Sequence, residues 1–295
     1  MILILSTFGE KIKAVYKNVT IIVGSHSDIG LMTQAVSEVD VVYATADCDD
    51  LDAATGTLQG LKKRFEETGK KPIFINTSGT GVLSDDAAGM YPTETIWDDA
   101  NPDQMETLKP TQASSTCYVK TYIILPATIW SIAKGPLFDS GISNKKSVQI
   151  PALIRASLDR GQAGMVGLGK NIWPNVEIHD LGDLYNLLFD AVLSSSANPG
   201  HGREAHLYQV GEAISEVMLK MNKGKGGAPT TFTKEEIDKY FNGSSYLGSN
   251  SRCRANRSRA LGWAPKNTTK DMLASIYAET ELVIEIGGGA ASEKL

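Results

Sequence analysis

The sequence predicts an α/β protein: a parallel sheet with helices on both faces, joined to a smaller C-terminal part. Two observations carry this. Short β-branched runs alternate with amphipathic helical stretches through the first half of the chain, and each run ends in a loop of small or hydroxylated residues. Strands that read as continuous apolar runs are buried on both faces, which is the habit of parallel sheets with right-handed crossovers.

Met1 to Leu5 and Val19 to Val23 (VTIIV) are the first two strand-like runs, the second giving way at Gly24 to the polar loop GSHSD. Asp28 is placed to cap a helix carrying Ile29, Met32, Ala35 and Val36 at helical spacing, and Val39 to Tyr43 supplies the next strand. From Asp52, the residues Leu58, Leu61 and Phe65 share a helical face that ends at Gly69, before the strand Pro72 to Asn76 (PIFIN). Val119 to Leu125 is a further strand. A parallel connection into it calls for a crossover, yet between Val82 and Cys117 only Pro102 to Leu108 has the composition of even a short helix.

The second half is more mixed. Helices are expected at Val148 to Asp159 and Leu181 to Leu193, with Asp180 as the N-cap of the latter, and a strand at Asn175 to Ile178. Ser194 to Gly202 reads as a loop, HLYQVG as one more strand, and the remainder to about Leu247 as helical with a break at Lys220 to Gly227. The tail from Ile286 is expected to fray. The expected division is a nucleotide-binding-type core over residues 1–130 and a C-terminal part over 131–295. The helix at 181–193 and the strand at 206–210 are assigned back to the sheet domain.

Composition excludes several classes. With 29 Lys+Arg against 34 Asp+Glu the net charge is −5, so a general affinity for nucleic acid is not expected. Hydrophobic residues make up 42%, enough for a folded core rather than a disordered chain. Cys48, Cys117 and Cys253 are odd in number, with no CxxC or Cys/His pair at ligand spacing, so neither a disulfide framework nor a metal site is indicated. The longest apolar stretch, Thr121 to Ala133, is too short to span a bilayer and carries Pro126. A cytoplasmic protein is expected.

Several motifs in a fixed order are more specific: VVYATAD, TSGTGVL, YVKTYIILPATIW, the phrase IPALIRASLDRGQAGMVGLGKNIWPNVEIHDLGDLY, and NSRCRANRSRALGWAPK. Together they resemble the atypical extended short-chain dehydrogenase/reductases of the NAD(P)-binding epimerase/dehydratase-like group, from about Lys11 to about Tyr277. The resemblance implies a Rossmann-like fold binding NAD or NADP, a C-terminal subdomain closing over a small carbonyl or hydroxyl substrate, and chemistry by hydride transfer. It implies cofactor contacts at the strand ends, from Ala44, Thr45, Ala46, Thr77, Pro126 and Thr128. It also implies a hydroxyl at Ser78 or Thr80 that hydrogen-bonds the reacting oxygen, the alternative being that these hydroxyls cap the following loop. Trp173 and Asn175 fall in the family's substrate-lining segment, and His179 either faces the substrate or is an ordinary strand-end residue; Trp173 also reads as a core anchor.

Two departures bear on activity. The family's glycine-rich turn, which seats a pyrophosphate at a helix N-terminus, should precede the segment EKIKAVYKNVTIIVGS, but the ten residues before Lys11 contain Gly9 alone. The expectation is weak dinucleotide affinity, or none. The Tyr-x-x-x-Lys pair, in which a cation lowers a phenol pKa for acid–base work, is also absent between Ser78 and Lys134, where Ala113 to Cys117 fills the gap. Tyr118 and Lys120 share one face of a strand and read as either ordinary strand residues or a displaced pair.

Other residues leave two readings each. The acidic run Asp47, Asp49 and Asp50 reads as a solvated loop or as a contact to a metal or a ribose. The basic run Arg252, Arg254, Arg257 and Arg259 reads as a salt-bridged face or as a substrate-closing segment. His201 and His206 have no partner at ligand spacing. At the level of the whole chain the contrasting reading is a non-catalytic Rossmann-like remnant with a regulatory or scaffold role.

Overall fold

The computed structural model describes residues 2–4, 9–101, 103–104, 107, 118–194 and 204–287, without the side chains of 2–4, 194 and 204–206. In chain order the first elements are β1 (Ile2–Ile4), α1 (Gly9–Val15), β2 (Thr20–Ile22), α2 (Ile29–Ser37), β3 (Val41–Ala44), α3 (Leu51–Thr68) and β4 (Ile73–Thr77). They are followed by β5 (Trp97–Asp98), β6 (Lys120–Ile124), β7 (Thr128–Trp130), α4 (Pro136–Asp139), α5 (Gln149–Arg160), β8 (Gly164–Met165) and β9 (Ile172–Glu177). The last are α6 (Ile178–Ser194), β10 (Glu204–His206), α7 (Leu207–Lys220), β11 (Thr230–Thr231), α8 (Lys234–Phe241), β12 (Cys253–Arg254), α9 (Asn256–Ala260) and α10 (Thr269–Glu285). No helix among the described residues is long and apolar enough to cross a membrane. The chain divides into unit 1, Met1–Gly79 with Pro110–Leu125 and Lys134–Asn144, and unit 2, Thr80–Lys109 with Pro126–Ala133 and Lys145–Leu295.

Unit 1 holds the expected parallel strands. β3, β4 and β6 form one sheet with β4 central, Ala44 opposite Asn76 and Thr77 opposite Ile124. β2 also forms and is also parallel, but its partner is β1 rather than β3, so the four expected strands do not make one continuous ladder. The predicted helix ends are seen in their physical detail. Asp28 accepts the Leu31 N–H at α2, and Gly69 closes α3 in the left-handed conformation that a Cβ disfavours. Val36, Leu61, Phe74 and Val119 are buried together between helices and sheet.

Unit 2 is built on α5, α7 and α10, whose Ile150, Leu153, Ile154, Ile214, Met218, Met272 and Ile276 are nearly solvent-free. Beside them β9 pairs in parallel with β7 and antiparallel with β10. Three expectations are corrected here. The strand around Asn175 runs from Ile172 to Glu177, starting earlier because Ile172, Pro174 and Val176 alternate inward. The run at 206–210 is a strand only to His206; α7 starts at Leu207 because Val210, Ile214 and Val217 recur at helical spacing and are buried. Asp180 does not cap α6, which begins at Ile178; the Glu177 carboxylate accepts the N–H groups of His179 and Asp180 instead. Freed from that task, the Asp180 carboxylate accepts the N–H groups of Lys266 and Asn267. Ala113 to Cys117, His201, and most of the proposed loop at 194–202 and of the tail lie outside the described residues.

Glu279 of α10 is 2% exposed and accepts from the Ser131 N–H and the Ser275 hydroxyl through Oε1, while Oε2 has no hydrogen-bond partner among the described residues. Burial holds its carboxyl above the usual carboxylate range, and the two donors pull only partly against this. A carboxyl whose folded pKa is raised binds its proton more readily in the folded chain. The stability it contributes is therefore fullest below the ordinary Glu range and is lost as pH rises through the raised folded value. Glu279→Gln, uncharged at every pH, should melt higher than the wild type at pH 8 and with a flatter pH profile. Thermal unfolding between pH 4 and pH 8 checks this, and a Gln variant less stable than wild type at pH 8 would contradict it.

Candidate functional site

In unit 1 the register sets Ala44 and Thr77 at one edge of the sheet, so Ala44, Thr45 and Ala46 after β3 and Thr77 and Ser78 after β4 share the carboxyl ends of the strands. Ligands of open parallel sheets bind at such ends. Ser78 is half-buried, and its N–H donates to the Ile124 carbonyl at 2.9 Å. Two helix N-termini open on the same edge, and each is occupied by a carboxylate from the chain itself. Asp28 Oδ1 lies 3.0 Å from the Leu31 nitrogen, and Asp50 Oδ1 lies 2.9 Å from that of Ala53. Asp50 Oδ2 in turn accepts from the Ser27 hydroxyl at 2.6 Å and lies 3.2 Å from His26 Nε2. The Ser27 hydroxyl first, then the Ala53 N–H, hold the Asp50 carboxyl below the ordinary range. The acidic run thus acts as a helix cap bridged to the loop after β2.

Among the described residues, the N-termini of α2 and α3 do not fit the pyrophosphate of NAD or NADP. A pyrophosphate needs unspent helix N–H groups and a local positive potential, whereas α2 and α3 present capped ends with carboxylates at Asp28, Asp49, Asp50 and Asp52. α1 has seven residues, and residues 5–8 ahead of it lie outside those described.

Unit 2 brings together Thr80, Pro126, Thr128, Trp173 and Asn175. The Thr80 N–H donates to the Pro126 carbonyl at 3.0 Å, and the Thr80 carbonyl accepts from the Ser251 hydroxyl at 2.5 Å. Thr80 is 1% exposed, and its own hydroxyl has no hydrogen-bond partner among the described residues. Thr128, Trp173 and Asn175 line a small cavity of about 40 Å³ with Gln149, Leu207 and Met272, apolar apart from the side chains of Thr128, Gln149 and Asn175. The Asn175 amide is engaged at both ends, accepting from Trp130 Nε1 at 3.1 Å and donating to Thr269 Oγ1 at 2.9 Å. Trp173 donates through Nε1 to the Ser249 carbonyl, and its ring meets Tyr246 edge-on with centroids 5.2 Å apart. His179, half-exposed, sets Nδ1 2.7 Å from Oε1 of buried Glu177, which fixes the ring and leaves Nε2 as its second polar atom.

The residues that hold these side chains were not evident in the sequence. Asn250 is 1% exposed, accepts the Ile172 N–H at 2.8 Å and donates to Asp85 at 3.0 Å, joining positions 165 apart. Asn171, fully buried, donates to the carbonyls of Leu247 and Ser249. Their signal was the SNS run at 249–251, polar where the burial is nearly complete. The basic run divides: Arg252 donates to the Thr93 carbonyl, and the Arg259 guanidinium lies 5.6 Å from the Trp263 ring centroid.

No established family profile matches the chain. The oxidase ucsJ of an Acremonium species is 24% identical over 193 residues, 60% of this chain. The chain's match spans about half, 54%, of that relative's length. Among solved structures, UDP-glucose 4-epimerase of Thermotoga maritima with UDP-glucose matches at a TM-score of 0.55 and 15% identity, covering 95% of this chain and 91% of that one. UDP-glucuronic acid 4-epimerase of Bacillus cereus, in complex with UDP-glucuronic acid and NAD, gives 0.56 and 11%, covering 96% and 91%. The dTDP-glucose 4,6-dehydratase DesIV of Streptomyces venezuelae, with NAD bound, gives 0.57 and 14%, covering 95% and 87%. The chain therefore has the Rossmann-like α/β fold of these NAD-dependent epimerases and dehydratases.

Proposed function

We propose that the chain is an oxidoreductase or epimerase/dehydratase-like protein that takes a small carbonyl or hydroxyl compound into unit 2. The cavity behind Thr128, Trp173 and Asn175 is the observation that carries this reading. It is a small apolar recess of about 40 Å³ with a few fixed polar groups, and it coincides with the segment that the family resemblance marks as substrate-lining. Thr80, the strand-end hydroxyl that belongs to unit 2, is sealed from solvent, whereas Ser78, at the strand ends of unit 1, is half-buried. NAD or NADP is the cofactor this reading calls for, with Ala44, Thr45, Ala46 and Thr77 at its strand ends. Because the N-termini of α2 and α3 do not fit a pyrophosphate, no reaction step is assigned to the dinucleotide. The capped helix ends favour a second reading, a protein of this fold that binds small molecules without catalysis.

A panel of small aldehydes, ketones and alcohols, scored by the rise in melting temperature and followed by hydrogen exchange, tests the site. At least one compound should stabilise the protein and slow exchange in segments 149–153, 172–175 and 207–210, which line the cavity. Stabilisation by none of them, or protection confined to other segments, would refute it.

A further inference from the structure

We propose that Asn242 is a site of spontaneous covalent modification: the Gly243 nitrogen closes on the Asn242 side-chain amide, and the residue that ends α8 becomes aspartate and isoaspartate. The inference is independent of the small-molecule reading of unit 2.

Asn242-Gly243 is the sole Asn-Gly pair in the chain. Asn242 follows α8 in the left-handed conformation, φ 52° and ψ 36°, and both residues are exposed. The Asn242 side-chain amide makes no hydrogen bond among the described residues, so its Cγ is open to attack. Gly243 has φ +78° and no Cβ beside the nitrogen that must approach. What holds the pair is the Ile237 carbonyl, which accepts the N–H groups of both residues, that of Gly243 at 3.2 Å. Helix ends open at little cost, and opening here exposes no core side chain, because residues 242–246 are all exposed already.

Two other asparagines serve as internal comparisons. Asn222 ends α7 in the same way, exposed and left-handed at φ +54°, with the next N–H, that of Lys223, donating to the Met218 carbonyl at 2.9 Å. Its successor carries a side chain that crowds the attacking nitrogen. Asn250, followed by the small Ser251, is 1% exposed, and its amide is held by the Ile172 N–H, Asp85 and the Tyr91 carbonyl. Asn242 combines an open amide with a following glycine.

The step balances with water as its one co-reactant. The Gly243 nitrogen gives up its proton to water and bonds to Asn242 Cγ, the Cγ–Nδ2 bond breaks, and ammonia leaves carrying that proton, which closes a five-membered succinimide. Water then opens the ring at Cγ to give aspartate, or at the main-chain carbonyl to give isoaspartate. Either product sets a new carboxylate at the C-terminal end of α8, where the helix dipole disfavours it. The Asp238 carboxylate already lies beside Gly243, 3.3 Å from where a Cβ would stand. Isoaspartate also lengthens the main chain next to Phe241, a core residue 1% exposed.

Prolonged incubation of the full chain at pH 8 tests this, read by peptide mapping in the mass spectrometer and by labelling with an isoaspartyl methyltransferase. A synthetic peptide of residues 236–248, incubated in parallel, sets the time scale. By the time the peptide has converted completely, the folded chain should have lost ammonia and gained label at Asn242, with Asn222 and Asn250 unchanged. Gly243→Ala, which restores a Cβ beside the nitrogen, should suppress the conversion. Asn242→Gly, which suits the left-handed cap, should fold normally and take no label at this segment. An unconverted Asn242 at that time would overturn the assignment. So would conversion of Asn222 to the same extent, or conversion in Gly243→Ala at the wild-type rate.

Discussion

Gly89→Ala is expected to lose about 3 to 5 kcal/mol of stability. Gly89 has φ +76°, and a methyl group there would overlap the Val166 carbonyl oxygen, backbone that cannot swing away. The same residue donates its N–H to the Gly248 carbonyl at 2.6 Å and accepts at its own carbonyl from the N–H groups of Leu168 and Lys170. Three backbone segments of unit 2 meet at this point, and moving one strains the bonds of the others. The left-handed φ alone costs an alanine about 1 kcal/mol, so the rest comes from the collision. Gly69→Ala separates the two contributions, because Gly69 has φ +69° with nothing within 4 Å of the added carbon. At roughly 2 to 4 °C per kcal/mol, Gly89→Ala should melt about 6 to 20 °C lower than wild type and Gly69→Ala only a few degrees lower. Equal shifts in thermal denaturation would show that the crowding at Val166 carries no energy.

Much of this arrangement was legible in the sequence where the physics is local. VTIIV, VDVVY and PIFIN are β-branched or apolar runs bounded by turn residues, and each became a parallel strand within a residue or two of its expected ends. Asp28 and Gly69 were legible because a capping carboxylate and a left-handed glycine act on atoms three or four residues away. HLYQVG misled because a short apolar run carries no period of its own; the helix is evident only once Ile214 and Val217 are counted with Val210. The Asp180 cap failed for a similar reason: a neighbouring acid, Glu177, reached the same N–H groups first. The pairing of β2 with β1 rather than β3 is a matter of topology, which strand composition does not encode.

The candidate site was legible only in part. Thr128, Trp173 and Asn175 do line one cavity, yet Tyr246, Asn250 and Asp85 came into view only in three dimensions. Contacts between positions 165 apart leave no periodicity to read.

The second large effect concerns the dinucleotide. An open helix N-terminus offers a pyrophosphate several charge-assisted hydrogen bonds, each contributing roughly 1.5 to 3 kcal/mol. At the carboxyl edge of unit 1 those donors are spent on Asp28 and Asp50, whose charges also repel phosphate. The loss of two such contacts weakens binding by a factor of about 100 or more. Removing the caps by Asp28→Asn and Asp50→Asn should relieve the repulsion without creating a glycine turn, and so recover only a small part of that factor.

Titration of the purified protein with NADH and NADPH, read by nicotinamide fluorescence and repeated by calorimetry, measures the dinucleotide affinity of unit 1. Dissociation constants no tighter than about 10 μM are expected for both, the range left after a hundredfold loss from a submicromolar site. Submicromolar binding of either dinucleotide to this chain would contradict it.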